Sequence, residues 1–418
     1  MHEERDFSYA TLYRRWEEEH WSATAIDFSV DAEHWRTRLS DHQRSTALWN
    51  YAMFLAGVEA QTRAVPAMLD AARHDDERTL FATHAVDAAR HRVFLDRWLR
   101  EVAGQGEDSR STLEAAQGHL TWGFRQILGE LDRAAEALRR QPSERPLFAA
   151  TIALCHIVIE GVLAVPGGFF INRYLEQENL LPGLASGLER SQRDAARHVT
   201  FGQTLLAHLI RSSHDCRAAA VSTWNRILSP MVGVFLPPDR DASYVEAFGT
   251  TMLEVYAFGL KTFESKIKRV GVDPEELFLL ARDDRSLTYE ERARRLLVLI
   301  DAGVLGNDTQ EPEVTSEALE ILFGATVRAI DLNVARTLEG PVEWDFTDAD
   351  PWHLVLVDDG VEAKPGRAGH AALRLELSAA DWARIAVGRF DPRWALLRRR
   401  LRVHGTLAAK AKLSKLFK

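Results

Sequence analysis

The sequence predicts a mainly α protein, in which a bundle of long helices is followed by a small α+β domain with a helix-covered sheet. From about residue 45 to 277, apolar residues recur at spacings of three and four in segments rich in Ala, Leu and Arg, which is typical of helices. In the last hundred or so residues, apolar and polar residues alternate instead, which is the period of strands. A chain of 418 residues is also too long for one ordinary core.

Short polar or Gly/Pro-containing segments divide the first region into helices of roughly 20 to 30 residues, longer than the globular average. We expect these breaks at residues 73–76, 104–111, 141–143, 181–183, 213–217 and 236–239. Long helices joined by short loops form bundles. The sequence therefore predicts a bundle over residues 1–277.

Residues 278–315 are polar and acidic and are predicted to be a linker. After them, Val342–Phe346, Trp352–Val357 and Ala371–Leu377 show strand alternation. Helical patterns precede and follow these strands. Residues 316–418 are therefore predicted to form the α+β domain.

Composition narrows the class of protein. The net charge of −9 argues against broad nucleic-acid binding, so we expect no nucleic-acid partner. Two cysteines and a polar, acidic start without the features of a signal peptide fit a cytoplasmic protein. The most apolar stretch, Leu147–Phe170, contains Glu160, which favours a buried helix over a membrane span. The basic C-terminus could make peripheral contact with an anionic membrane or an acidic partner, although a solvated face is the simpler interpretation.

A pentapeptide repeat marks the candidate chemistry. Asp87–His91 and Asp194–His198 both read Asp-Ala-Ala-Arg-His, and each lies in the middle of a predicted helix. Asp and His four residues apart share one helix face. A third copy, Asp70–His74, lies at a helix end, so the string alone is a weak signal in a chain of this composition. The context strengthens it, because Glu160 lies among apolar residues on the helix before the second copy, and a buried Glu is normally paired or bound to a cation.

This region resembles the ferritin-like di-metal proteins, and in particular the small subunit of ribonucleotide reductase and the related ligand-binding oxidases. The matching stretches are Phe54–Glu59, Ile159–Ala164, Asn179–Gly183 and Arg193–Gly202, and the resemblance covers roughly residues 46–271. It implies a ferritin-like bundle, a metal site and, usually, a homodimer. Carried over by position, the implied metal ligands are His91, Glu160, His198 and Glu59.

Several positions depart from the family pattern, so the di-iron site is predicted to be degenerate. Ala88 and Ala195 stand where the family has ligand glutamates. On the first ligand helix the expected Glu falls at Val58, which leaves Glu59 rotated by about 100° from the ligand position. The positions matched to the radical and cross-linking tyrosines hold Leu95 and Cys155.

Three interpretations of this site remain open. In the first, two His and one carboxylate bind one iron or manganese ion rather than two, with Asp87, Asp194 and His84 as outer residues that orient the imidazoles or replace ligands. In the second, the same side chains form a metal-free buried polar network. In the third, the helices keep only an apolar ligand pocket. The two metal-free interpretations together outweigh the first.

Residues 316–418 resemble the sterol carrier protein type 2 family. The matching pieces are Trp352–Gly360, Leu373–Trp382, Gly388–Pro392 and Leu401–Leu407, with a closing helix. The resemblance implies an apolar tunnel for a lipid or acyl chain.

Two functional hypotheses follow. One is an oxygen-dependent oxidase or oxygenase with a mononuclear or otherwise reduced metal site, whose lipid-like substrate the second domain holds. The alternative is a non-catalytic, metal-free lipid carrier. Both make a lipid or other apolar small molecule the partner.

Overall fold

The computed structural model describes residues 8–358 and 360–417. The chain folds into two compact units, unit 1 (Met1–Pro274) and unit 2 (Glu275–Lys418). Unit 1 is helical and unit 2 contains a sheet with helices, which confirms the predicted fold class.

The helices of unit 1 begin and end close to the predicted breaks. They are α1 Tyr9–Glu18, α2 Ser29–Thr37, α3 Asp41–Ala71, α4 Asp75–Glu101, α5 Ser109–Gln117, α6 Trp122–Arg140, α7 Arg145–Ile152, α8 Ala164–Gln177, α9 Pro182–Ser212, α10 His214–Val232, α11 Ser243–Glu246 and α12 Met252–Arg269.

Local sequence signals explain where α4 and α9, the two helices that carry the repeat in their middles, start. The first turn of α4 carries Asp75, Asp76 and Glu77, whose charges favour a helix N-terminus. Helix α9 starts with Pro182 at a position where no backbone N–H is needed, and Leu181 before it turns the chain with a φ of 45°. Both helices therefore start where the sequence favours it, and their middles carry the repeat.

Helices α7 and α8 join through a π-helical segment, Ala153–Leu163. The combined helix, Arg145–Gln177, has 33 residues and, within the described part of the chain, is long and apolar enough to cross a membrane. However, 89% of its most apolar window is buried inside the fold, as expected for a core helix. π-helical turns are rare and frequently lie at functional sites. This one carries Glu160.

Unit 2 contains a five-stranded sheet in the order β3-β2-β1-β4-β5. Strands β1 and β4 pair in parallel, and the other neighbours pair antiparallel. The strands are β1 Val342–Phe346, β2 Trp352–Val357, β3 Gly360–Pro365, β4 Leu373–Leu377 and β5 Arg402–Gly405. The helices are α13 Tyr289–Asp301, α14 Ser316–Ala329, α15 Leu332–Ala335, α16 Ala379–Ala386, α17 Pro392–Leu397 and α18 Leu407–Leu416.

An aromatic core holds α14 and α16 against this sheet. Phe323 of α14 stacks on Trp352 with ring centroids 4.6 Å apart, and its ring meets that of Trp344 edge-on at 5.2 Å. Trp382 of α16 packs against both Phe323 and Trp344. The alternating apolar residues of β1 and β2 therefore face the helices, as their period predicts.

The segment predicted as a linker, 278–315, is instead a structured part of unit 2 that contains α13. Arg389, whose side chain is almost fully buried, donates to the carbonyl oxygens of Gly303 and Val304 at 2.8 Å. The buried Arg292 pairs with Asp283 at 2.7 Å. These interactions explain why the polar, acidic composition was wrongly interpreted as a linker. The acidic side chains of the segment pair with arginines of the same unit.

Candidate metal centre

The two copies of the repeat face each other across the antiparallel pair α4 and α9. His91 Nε2 lies 2.9 Å from Asp194 Oδ2, and His198 Nε2 lies 2.9 Å from Asp87 Oδ2. Each aspartate thus bonds the histidine of the opposite copy rather than the one on its own helix. All four side chains are buried. The sequence repeat therefore forms a local, approximately two-fold arrangement.

Two buried arginines complete this arrangement, which we call the arginine cluster (Asp87, Arg90, Asp194 and Arg197). One guanidinium nitrogen of Arg197 bridges Asp87 Oδ2 at 3.0 Å and Asp194 Oδ1 at 2.6 Å. Arg90 lies 3.2 Å from Asp87 and 3.8 Å from Asp194. Two carboxylates thus face two guanidinium groups, so their charges balance within the cluster.

The N-terminal segment covers the arginine cluster, and this feature was not predicted from the sequence. The indole of Trp16 donates to Asp87 Oδ1 at 3.0 Å, and the indole of Trp21 donates to Asp194 Oδ2 at 2.8 Å. Glu19 pairs with Arg197 at 2.8 Å. The two indoles thus give the buried aspartates further hydrogen-bond donors, as buried charges require.

A second group, the histidine cluster (His84, His156, Glu160 and His198), lies next to the first. His198 Nδ1 is 2.9 Å from Glu160 Oε1, and His84 Nε2 is 3.3 Å from the same oxygen. One ligand atom from each of these three residues lies within 4.8 Å of the others. The rings of His84 and His198 stack with centroids 3.8 Å apart.

Several polar atoms of the histidine cluster are buried without a hydrogen-bond partner among the described residues. They are both ring nitrogens of His84, both ring nitrogens of His156, and Glu160 Oε2. The approach of His84 to Glu160 is close enough for an ion pair but lacks hydrogen-bond alignment. Leaving a buried polar group unpaired costs about 1–3 kcal/mol, so this concentration of such groups is itself an indication of a ligand.

Burial and mutual charge set the protonation of the histidine cluster. Burial opposes ionisation of Glu160, but His84 and His198 outweigh it and hold the pKa of Glu160 well below its usual range. Burial also opposes protonation of His198, whereas Glu160 and Asp87 raise its pKa to about 9. Burial and nearby histidine charge lower the pKa of His84, and they lower that of His156 to about 3. At neutral pH, His84 and His156 thus keep lone pairs available.

The donor set fits one divalent transition-metal ion. Two imidazoles and one carboxylate with further open positions are typical of mononuclear iron(II) sites. The ligand atoms of His84, Glu160 and His198 lie within 4.8 Å of one another, so these three side chains would be able to hold one ion together. The Asp87 bond to the far nitrogen of His198 is the outer contact that metal-binding histidines commonly make.

The structure does not bring all of the predicted ligands together in one cluster. His198 and Glu160 lie in the histidine cluster, but their partner is His84, which was predicted as an outer residue. His91 has Asp194 as its partner. His84 and His91 lie two turns apart on one face of α4. His84 therefore lies beside His198 of α9, whereas His91 lies beside Asp194, one turn earlier on that helix. His156 was not singled out from the sequence, although its place beside Glu160 in an apolar stretch was a signal.

Glu59 points away from both clusters. Its carboxylate lies 2.7 Å from Arg92 and 3.6 Å from Arg63, and the first contact lacks hydrogen-bond alignment. This orientation follows from the rotation of one residue on a helix. Val58, at the expected ligand position, lines an apolar cavity of about 110 Å³ instead. Ile159 and Leu163, on either side of Glu160 in the π-helical segment, line the same cavity.

Long helices that present inward-facing carboxylates and histidines define unit 1 as a ferritin-like protein of the di-metal carboxylate class. Residues 5–232 match the model of the family "Ribonucleotide reductase, small chain". The chain belongs to this family. That its metal site is degenerate stays a prediction from Ala88, Ala195 and Val58.

Solved structures of R2-like ligand-binding oxidases share the fold of this bundle. A valine-to-isoleucine mutant with an aerobically reconstituted Mn/Fe cofactor is 20% identical, with a TM-score of 0.56, over 64% of this chain and 95% of that chain. A glutamate-to-aspartate mutant with the same cofactor matches at 20% identity and a TM-score of 0.56, over 64% and 94%. An R2-like ligand-binding oxidase with an aerobically reconstituted Mn/Fe cofactor after a long soak matches at 19% identity and a TM-score of 0.55, over 64% of this chain and 93% of that chain.

Residues 326–418 match the model of the SCP-2 sterol transfer family. Within unit 2, helices α14, α16 and α18 border a cavity of about 630 Å³. Its lining includes Leu322, Leu375, Trp382, Ile385 and Leu413. Ligand pockets typically measure 300–1,000 Å³, so this cavity has the size and character of an apolar binding site.

The lowered pKa of His156 predicts a pH dependence of stability. In the window between its folded pKa of about 3 and its unfolded value of 6.5, the unfolded chain binds one more proton, so stability rises with pH. In chelator-treated protein, His156→Phe should reduce this slope by up to about 1.4 kcal/mol per pH unit. Urea denaturation at several pH values measures it. His156→Leu should behave alike, and an unchanged slope in both variants would show that His156 is not held neutral.

Proposed function

We propose that unit 1 binds one iron or manganese ion in the histidine cluster and uses it in an oxygen-dependent oxidation of an apolar, lipid-like substrate. The observation that carries this proposal is the group His84, Glu160 and His198, buried together with unpartnered donor atoms. Iron or manganese with two histidines and one carboxylate keeps coordination positions open for oxygen and substrate.

The arginine cluster supports one ion rather than two. Asp87 and Asp194 are neutralised by Arg90 and Arg197, whereas the partners of Glu160 among the described residues are histidines. A second divalent ion would add charge beside two guanidinium groups, which is costly at low dielectric. We infer that the arginines take over charge that a second metal would supply.

The other residues of unit 1 have positioning roles in this proposal. Asp87 fixes the ring of His198 through Nε2, so that Nδ1 points to the metal site. The adjacent apolar cavity, lined by Val58, Ile159 and Leu163, has space for a small apolar group or the end of a chain. The SCP-2-like cavity of unit 2 would hold a larger lipid.

Elemental analysis tests the metal site. After anaerobic loading with iron(II) or manganese(II) and desalting, we expect about one equivalent per chain. His84→Ala should reduce the metal content to near zero, because it removes one of three ligands. His91→Ala is the matched control on the same helix and should keep the metal. No metal after loading, or metal that depends on His91 but not His84, would contradict the site; thermal melts identify variants that have not folded.

A metal-free lipid carrier is the second candidate. It is favoured by one observation, namely that a protonated His198 balances Glu160 in the same way that the arginines balance the aspartates. In that case native mass spectrometry should find a co-purified lipid on protein that never takes up metal. Absence of both lipid and metal would contradict both candidates.

A further inference from the structure

Unit 2 exposes four large apolar side chains on α17 and at the start of α18. Leu407 is 89% exposed, Leu397 71% and Trp394 54%, and Leu396 is also exposed. Soluble proteins show single apolar residues on their surfaces, whereas grouped ones mark interaction sites. Three of these four side chains lie on one short helix, α17, so they form a group rather than scattered single residues.

The same part of the chain is strongly basic. Residues 392–418 contain no Asp or Glu. Their basic residues are Arg393, Arg398, Arg399, Arg400, Arg402, Lys410, Lys412, Lys415 and Lys418, of which Lys418 lies outside the described residues. Arg393 pairs with Asp391 at the start of α17, and Arg400 and Arg402 pair with Asp381 and Glu376. Arg398 lies over the ring of Trp394 at 5.7 Å. The segments that expose the apolar side chains therefore carry an excess of basic residues.

Arg399 occupies a backbone position that normally favours glycine. Its φ is 57°, and it ends α17 where the N–H of Arg400 bonds back to the carbonyl of Ala395. A left-handed residue at a helix C-terminus is most often Gly, because a side chain is strained there. The side chain of Arg399 is exposed to solvent, where its guanidinium is accessible to a partner. The charge of Arg399 is therefore available on the same exposed face of the chain as α17.

The surface is continuous with the mouth of the larger cavity. Arg393 and Leu396 of α17 and Lys410 and Leu413 of α18 line the cavity of about 630 Å³. Leu407 lies one helical turn before Lys410 on the same face of α18. A partner that covers these side chains would therefore also cover the opening of the cavity.

We propose that this docking surface (Trp394, Leu396, Leu397 and Leu407 with Arg398, Arg399 and Lys410) binds an anionic phospholipid membrane. Trp and Leu enter the interface between headgroups and acyl chains, while basic residues attract the anionic headgroups. A second copy of the chain fits less well, because it would bring two basic surfaces together. Docking would place the cavity mouth at the lipid source. The inference does not depend on the metal site of unit 1.

Vesicle flotation of the full chain tests the docking surface. We expect binding to vesicles of phosphatidylcholine mixed with phosphatidylserine, and little binding to phosphatidylcholine alone. Binding should weaken at about 0.5 M NaCl, where the Debye length is only a few Å. Each basic residue removed should weaken binding about fivefold. Leu397→Ser together with Leu407→Ser should weaken it by about tenfold or more.

Arg399→Gly separates binding from folding. It relieves the left-handed strain, so the melting temperature should rise while vesicle binding falls. Val357→Ser and Lys364→Ser, both exposed on the β2–β3 hairpin, are the controls for apolar area and for charge and should bind normally. Equal binding to neutral vesicles, no binding to either type, or a dimer broken by Leu397→Ser would overturn the proposal. None of these outcomes bears on metal content, so the two proposals fail separately.

Discussion

Replacing Arg197 by Met should destabilise the bundle by about 3–5 kcal/mol, the cost of removing one partner from a buried ion-pair network. The Arg197 guanidinium contacts Asp87, Asp194 and Glu19 within 3.0 Å. Methionine fills much the same volume, so the lost charge dominates. Arg90 stays near both aspartates but lies farther from them, at 3.2 and 3.8 Å.

Urea denaturation of Arg197→Met against the unsubstituted chain measures this cost. Arg193→Met is the matched control one turn earlier on α9, because Arg193 is half exposed and its pair with Glu189 spans 3.8 Å. Exposed pairs contribute about 0–1 kcal/mol, so this variant should remain near wild-type stability. A difference below about 1 kcal/mol between the two variants would show that the arginine cluster is not held together by charge.

Asp194 adds an acid dependence to the same network. Burial opposes its ionisation, but His91, Trp21 and Arg197 lower its pKa below the ordinary value of 3.8. A carboxylate whose folded pKa is depressed stabilises the protein above its unfolded pKa, and this stability is lost as the pH falls through the folded pKa. The arginine cluster should therefore weaken only below about pH 4, more acidic than the window of His156.

The sequence predicted the helical bundle and the burial of Glu160 for a physical reason. Helix periodicity and the apolar surroundings of Glu160 are local properties, and both survive in the structure. Which side chains meet is not local. The pairing of Asp87 with His198 and of Asp194 with His91 depends on the antiparallel register of α4 and α9, which no spacing within one helix encodes.

The same argument explains the exchange of His84 for His91. Both histidines lie on one face of α4, so helix periodicity cannot distinguish between them. His84 becomes the partner because the π-helical segment places Glu160 beside it. The indoles of Trp16 and Trp21 reach the site from a segment whose polar sequence gave no indication of a buried role. In unit 2, the polar and acidic residues 278–315 were predicted to be a linker, whereas Asp283 within them binds the buried Arg292.

Gly202 of α9 allows the π-helical segment to lie close enough for the histidine cluster to form. A Cβ at this position would lie 2.3 Å from the Cβ and 2.5 Å from the Cγ of His156. Real Cβ atoms do not approach so closely, and the Cβ of His156 is fixed to the backbone. Gly202→Ala must therefore move the helices apart. We expect a loss of about 3 kcal/mol, at the upper end of the usual cost of overpacking.

The His156→Ala background tests whether backbone separation is the cause. Alanine keeps the Cβ that Gly202→Ala would meet, so trimming the ring should recover only part of the loss. Gly259→Ala on α12 is the control and should not destabilise, because an added Cβ there meets no atom of the described part of the chain within 4 Å. Full recovery of stability in the His156→Ala background would show instead that the added methyl group collides mainly with the imidazole ring of His156.

The same substitution links the packing of the bundle to its proposed chemistry. His156 and Glu160 lie about one turn apart in the π-helical segment, so a shift that relieves Gly202→Ala also moves Glu160 away from His198. Metal content after anaerobic loading should therefore fall in Gly202→Ala even at temperatures where the variant remains folded. Metal retained at the wild-type level by a destabilised but folded variant would show that the close approach of these helices serves stability alone.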